Sequence, residues 1–105
     1  MISINEENLE DLRTKPCLVL FWTPWCAPCH DLEQTLLEFE AEMPGTRIIK
    51  VNVEENLDLA VEFKIIFFPT VILLNQGKVI ERKVGLPEAS VLKRMMKFST
   101  AASSC

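Results

Sequence analysis

Cys17-Leu18-Val19-Leu20-Phe21-Trp22-Thr23-Pro24-Trp25-Cys26-Ala27-Pro28-Cys29-His30 is the stretch whose reading decides the fold. Residues 17–22 are continuously apolar rather than alternating. A strand of that kind is covered on both faces and belongs in the middle of a sheet flanked by helices. A helix-like run begins near Pro28, so Cys26 and Cys29 fall where a strand turns into a helix. A thiol there meets unpaired backbone N–H groups and the positive end of the helix dipole, both of which favour a thiolate. A lowered thiol pKa makes a nucleophile near neutrality, and a second cysteine within reach closes a disulfide. The pattern predicts a redox dithiol.

Outward from this stretch, strands and helices alternate. Ile2-Ser3-Ile4 reads as a short strand, and Asn5 as the N-cap of a helix through about Arg13, with Leu9 and Leu12 inward. Lys15-Pro16 breaks it. After the cysteines, Leu32, Leu36, Phe39 and Met43 form a core-facing stripe opposite an acidic face, and Pro44-Gly45 ends that helix. Residues 47–53 read as a second buried strand. Asn56 caps a short helix with Leu57, Ala60 and Val61 inward. Residues 70–74 form a third strong strand, joined through Asn75-Gln76-Gly77 to residues 78–84 as an antiparallel hairpin at the sheet edge. A last helix carries Ala89, Leu92 and Met96 on one face, with Val91, Met95 and Phe98 beside them. From Ser99 the chain reads as a small, polar, flexible tail ending in Cys105. The class is α/β, a mixed five-stranded sheet with central parallel strands and a C-terminal antiparallel hairpin, flanked by four helices.

Length and charge narrow the function. The 105 residues fit one domain, residues 1–98, with enough chain for a core without staples. The longest wholly apolar run is far too short to cross a bilayer, so no membrane association is expected. The first residues show no signal-peptide pattern, which points to the reducing cytoplasm, where cysteines are catalytic, metal-bound or free rather than a structural framework. Net charge is −4 but uneven: residues 1–62 carry 4 Lys/Arg against 13 Asp/Glu, and residues 63–105 carry 7 against 2. The basic residues are scattered, which argues against nucleic acid as a partner. No second Cys-x-x-Cys or histidine pair completes a zinc site, so neither metal nor cofactor is expected. Cys17 reads as a small core hydrophobe.

The chain resembles the thioredoxin family over residues 1–98. The resemblance rests on Phe21-Trp22-Thr23-Pro24-Trp25-Cys26-Ala27-Pro28-Cys29, Lys50-Val51-Asn52-Val53, Phe68-Pro69-Thr70 and Lys83-Val84-Gly85, in that order. It implies the thioredoxin fold and a protein-disulfide reductase. Cys26 is then the nucleophile and Cys29 the resolving thiol. Pro69 is a cis-proline facing the dithiol. Trp25, Ala27, Pro28, Phe68, Val84, Gly85 and Leu86 line a substrate groove. The implied partners are disulfide-containing client proteins and a thioredoxin reductase or other dithiol donor, and a monomer is expected.

The family pattern breaks at several positions. Leu20 stands where the family carries a buried aspartate that helps deprotonate the second cysteine, so Cys29 must lose its proton another way. Lys50, that aspartate's partner, is left with no evident counter-charge, and it either tunes the cysteines or snorkels to solvent. Ala27 replaces a glycine, His30 a common lysine, and Gln34 a helix-kinking proline. Ile65-Ile66-Phe67-Phe68 is more apolar than the family norm and serves either core packing or partner docking. Cys105 reads as an exposed thiol, or as one that caps Cys26 or bridges chains. Two other functions compete with the reductase: a disulfide oxidase or isomerase, and a non-catalytic partner-binding module.

Overall fold

The computed structural model describes the backbone of residues 1–103 and the side chains of residues 1–98. Its strands are β1 (Ile2–Ser3), β2 (Cys17–Trp22), β3 (Ile48–Asn52), β4 (Thr70–Asn75) and β5 (Lys78–Val84). Its helices are α1 (Asp11–Thr14), α2 (Ala27–Glu42), α3 (Leu57–Glu62) and α4 (Ala89–Ser103). Among the described residues the strands form one sheet in the order β1-β3-β2-β4-β5. β2 is the central strand, as its unbroken apolar run predicts. It pairs parallel with β3 and antiparallel with β4.

The two faces of β2 build two cores. Cys17, Val19 and Phe21 pack with Leu12 of α1, Leu59 and Ala60 of α3, and Ile72 and Leu74 of β4. Leu18 and Leu20 pack with Leu32, Leu36 and Phe39 of α2, Val71 and Leu73 of β4, and Leu92, Met95 and Met96 of α4. Each fully buried leucine of this set contributes about 1.5–3 kcal/mol through apolar surface removed from water. The sheet is thus sandwiched between α1/α3 and α2/α4, and the C-terminal end of β2 points at the dithiol.

Four local expectations change. The helix expected over 5–13 shrinks to Asp11–Thr14: Asn5 and Asn8 make the reciprocal pair of a helix start, each side chain accepting the other's backbone N–H at 2.7 and 2.9 Å, but the turns that follow close through tighter three-residue bonds, from the Asp11 and Leu12 N–H groups to the Asn8 and Leu9 carbonyls. Leu9 consequently stays exposed and Leu12 alone faces the core. In α3 the structure buries Leu59 and Ala60 and leaves Leu57 and Val61 exposed. A 3-10 turn over Val53–Glu55 rotates the entry to α3 and so changes which face meets the sheet. β4 is an interior strand, not an edge: only β5 closes that side, with Lys78, Arg82 and Lys83 along it. The last helix runs on to Ser103, through the stretch that composition reads as a tail, and Cys105 lies outside the described residues.

Candidate active site

The end of β2 and the start of α2 place the two thiols. Thr23 to Trp25 make the turn, closed by a 3.3 Å hydrogen bond from the Cys26 N–H to the Thr23 carbonyl. Cys26 is the N-cap of α2 in extended conformation, and its Sγ accepts the Cys29 N–H at 3.2 Å. Pro28 sits in the first turn, where a missing N–H costs nothing because no intrahelical acceptor exists for it. Cys26 and Cys29 are joined in a disulfide, with Cα atoms 5.3 Å apart. Cys29 is 1% exposed and Cys26 only 6%, so Cys26 is less open than a thiol at a helix start suggests. Its sulfur is turned onto the helix terminus and bonded to Cys29. The exposed residue of the motif is Trp25, at 69%.

A second loop faces the dithiol. The Phe68–Pro69 peptide bond is cis. The Thr70 hydroxyl donates to the Phe67 carbonyl at 2.6 Å, and the Gly85 N–H donates to the Pro69 carbonyl at 2.9 Å. Gly85 takes φ +84°, a conformation that suits a residue without Cβ and brings the end of β5 against Pro69. Arg82 of β5 donates to the carbonyls of Phe63 and Lys64 at 2.5 and 3.4 Å, bracing the start of this loop. Phe68 then meets Trp25 edge-on, with ring centroids 5.9 Å apart.

Trp25, Cys26, Ala27, Pro28, Ile66, Phe67 and Phe68 line one open depression of about 480 Å³. Ile66, Phe67 and Val84 line an adjoining one of about 330 Å³. The structure therefore brings together Trp25, Cys26, Ala27, Pro28 and Phe68, with Val84 next door through Ile66 and Phe67. Leu86 is exposed but lines neither depression. The apolar run before Pro69 divides by position: Ile65 enters the core, whereas Ile66 and Phe67 turn outward and join the groove. That division answers the choice between packing and surface, and the run of apolar residues ahead of a proline was its only sequence signal.

Lys50 stands apart from this groove. It pairs in register with Leu20 and lines a cavity of about 220 Å³ with Ser3, Ile4, Trp22, Asn52, Glu55 and Asn56. The expectation that it lacks a counter-charge is corrected: its Nζ lies 2.6 Å from Glu33 Oε1, and 5.5 Å from the Trp22 ring centroid. Glu33 had no signal in sequence, since 17 residues separate it from Lys50 and only the packing of α2 on β3 joins them. His30 hydrogen-bonds through Nε2 to the Pro24 carbonyl at 3.3 Å and tilts against Trp22, so it braces the cysteine loop. Cys17 is fully buried, and burial pushes its thiol up to about 11.

The thioredoxin family profile matches residues 2–98. A thioredoxin of Griffithsia pacifica is 34% identical over 97 residues, covering 90% of this chain and 87% of its own. One of Rickettsia felis is 36% identical over 92 residues, covering 86% and 85%. The chain belongs to the thioredoxin family. Among solved structures, Malassezia sympodialis thioredoxin superposes with a TM-score of 0.81 at 22% identity, covering 95% of this chain and 90% of its own. A point mutant of Halobacterium salinarum thioredoxin gives 0.78 at 29%, covering 95% and 89%. A thioredoxin-family protein with Cys26 and Cys29 in disulfide contact is a thiol–disulfide oxidoreductase.

Proposed function

We propose that the protein reduces disulfides in client proteins, with Cys26 as nucleophile and Cys29 as resolving thiol. The observation that carries this reading is the Cys26 sulfur capping α2, held by the Cys29 N–H at the rim of an apolar groove. In the reduced protein the same N–H and the helix dipole favour a Cys26 thiolate. That thiolate attacks one sulfur of the client disulfide, forms a mixed disulfide and expels the other sulfur as a thiolate. Cys29, after losing its proton, attacks the Cys26 sulfur. The client leaves fully reduced, and the two electrons it gained come from the pair, which closes into the Cys26–Cys29 disulfide seen here. A thioredoxin reductase or other dithiol donor then restores the two thiols.

The groove supplies docking. Trp25, Ile66, Phe67 and Phe68 offer apolar surface on both sides of Cys26, and Val84 extends it. Pro69 brings no N–H to the rim, so the backbone of Phe68 is the group that pairs with an extended client segment. Among the described residues no helix is long and apolar enough to cross a membrane.

Insulin reduction with a dithiol donor tests the reading. Catalysis above the donor alone supports it, as does accumulation of mixed disulfides on Cys29→Ser. Absence of turnover together with a stable non-covalent client complex replaces it with a binding module. A reduction potential of about −270 mV fits a reductase, whereas one of about −120 mV makes the protein an oxidant.

A further inference from the structure

Cys29 presents a proton problem that this chain must solve for itself. A thiol attacks a disulfide only as a thiolate. Burial opposes that ionisation, and the effect is visible in the same molecule: buried Cys17 has its thiol pushed up to about 11. Cys29 is sealed from solvent almost as completely as Cys17. During the resolving step the Cys26 sulfur is bonded to the client and has no thiolate to lend. The strand beneath offers Leu20, which is apolar and packed against Leu32 and Leu36.

The charged and titratable groups around Cys29 are few. The first turns of α2 carry His30, Asp31 and Glu33, of which Asp31 is exposed; Lys50 of β3 meets Glu33, and Glu55 shares the cavity that Lys50 lines. His30 donates from Nε2 to the Pro24 carbonyl on the exposed side of the cysteine loop, and its Nδ1 remains the rival acceptor that His30→Gln tests. Glu33 is four residues after Cys29 on α2. Helical side chains lean toward the N-terminus, so its carboxylate is carried back toward the turn that holds Cys29. Lys50 reaches that carboxylate from the neighbouring strand at 2.6 Å and lies over the Trp22 ring. The pair is about a quarter exposed, so the Glu33 carboxylate can pass a proton on to solvent directly.

We propose that Glu33, held in place by Lys50, takes the proton that Cys29 sheds when it resolves the mixed disulfide. The proposal rests on the disulfide-exchange reading above. In the step, the Cys29 S–H bond breaks and its proton passes to the Glu33 carboxylate. The Cys29 thiolate bonds to the Cys26 sulfur, and the bond from Cys26 to the client sulfur breaks with its electron pair going to the client. The departing client thiolate picks up a proton from Glu33 or from water. Glu33 is the base, and Lys50 is the positioning residue that holds the carboxylate and supplies its counter-charge.

Single-turnover reaction of the fully reduced protein with an aryl disulfide, dithiobis-nitrobenzoate, separates the two steps. The first aryl thiolate appears as Cys26 attacks, at a rate proportional to reagent. The second appears as Cys29 displaces it, at a rate independent of reagent. Glu33→Gln is expected to slow the second phase by about 10-fold or more near neutrality, the range of lost general-base catalysis. The deficit should close at alkaline pH, where a buried thiol ionises unaided. Lys50→Met should slow the second phase and leave the first unchanged, and should add nothing to the loss in Glu33→Gln, because Lys50 acts only by holding that carboxylate. A second phase in Lys50→Met equal to wild type, or a loss that adds to that of Glu33→Gln in the double variant, overturns the role of Lys50. A second phase in Glu33→Gln indistinguishable from wild type at every pH, or a loss carried by His30→Gln instead, overturns the role of Glu33. Both altered side chains reach solvent, and circular dichroism confirms the fold. Insulin reduction by the wild type is scored apart, so failure of the client reading and failure of this base assignment are told apart.

Discussion

Three buried positions on β2 and α2 show how much one side chain decides. Cys17 and Cys29 are both sealed from water, yet one is a core residue and the other is half of a disulfide. Cys17 has a folded-state pKa of about 11, above that of an unfolded thiol at about 8.5. Its stabilising contribution is complete below the unfolded value and is lost as pH rises through the folded one. Urea midpoints should therefore fall across that alkaline window. Cys17→Ala should remove this slope while costing about 1 kcal/mol at neutral pH through the cavity it leaves. A slope that persists in Cys17→Ala assigns it to another group. Leu20 is the third position. Leu20→Asp puts a carboxylate into the core beside Lys50 and should cost about 3 kcal/mol or more in unfolding free energy. In a Glu33→Gln background the same change should restore part of the second-phase rate, because it supplies a new acceptor for the Cys29 proton. Unchanged rates there would separate Leu20 from the resolving step.

At the level of elements, turns and caps decide where pieces start and how they face. The β4–β5 hairpin turns through Gln76 and Gly77, both at positive φ, 53° and 82°. That pair of conformations matches the twist of the flanking strands. Glycine suits its place, but glutamine is strained in its own. Gln76→Asn should stabilise the protein by about 0.5 kcal/mol, read as a raised midpoint in urea, since asparagine tolerates this conformation. Gly85→Ala should cost about 1–2 kcal/mol through φ alone, since no atom lies within 4 Å of the added Cβ. It should also weaken client binding if the Gly85–Pro69 hydrogen bond lengthens. Secondary structure was legible wherever one signal dominated. The apolar run of β2, the stripe of Leu32, Leu36 and Phe39, and the short turn of the hairpin all read through correctly. α1 and α3 did not, because each is shorter than two turns and its orientation is set by what precedes it. The Asn5–Asn8 turn and the Val53–Glu55 turn carry that information, and neither has an apolar period to reveal it.

Across the whole molecule, ion pairs tie the outer elements together. Arg94 of α4 makes a two-pronged bond to Glu81 of β5, both distances 2.8 Å, and Arg13 of α1 does the same with Glu62 of α3. Each arginine holds its partner carboxylate below the usual glutamate range, the hydrogen bond being the main cause. The sign follows: this stability is present above the unfolded glutamate pKa of about 4.3 and is lost as pH falls through the lowered folded values. Acid unfolding of Arg13→Gln/Arg94→Gln should accordingly show a shallower loss below that pH than wild type. The two proteins should converge in high salt, because exposed pairs are screened. An identical acid slope in the double variant would place the acid sensitivity elsewhere. The sequence by itself determined the α/β class, the central strand and the dithiol at a strand-to-helix turn. Those features are local: apolar runs, periodicity and spacing within a few residues specify them. Only the tertiary structure decided that β4 is interior, that Ile66 and Phe67 line the groove while Ile65 does not, and that Glu33 is the partner of Lys50. Each of these depends on side chains from distant segments meeting across a packed interface, and no spacing along the chain encodes such a meeting. The Cys26–Cys29 motif was legible from the start, but the group placed to take the Cys29 proton became visible only once α2 lay against β3.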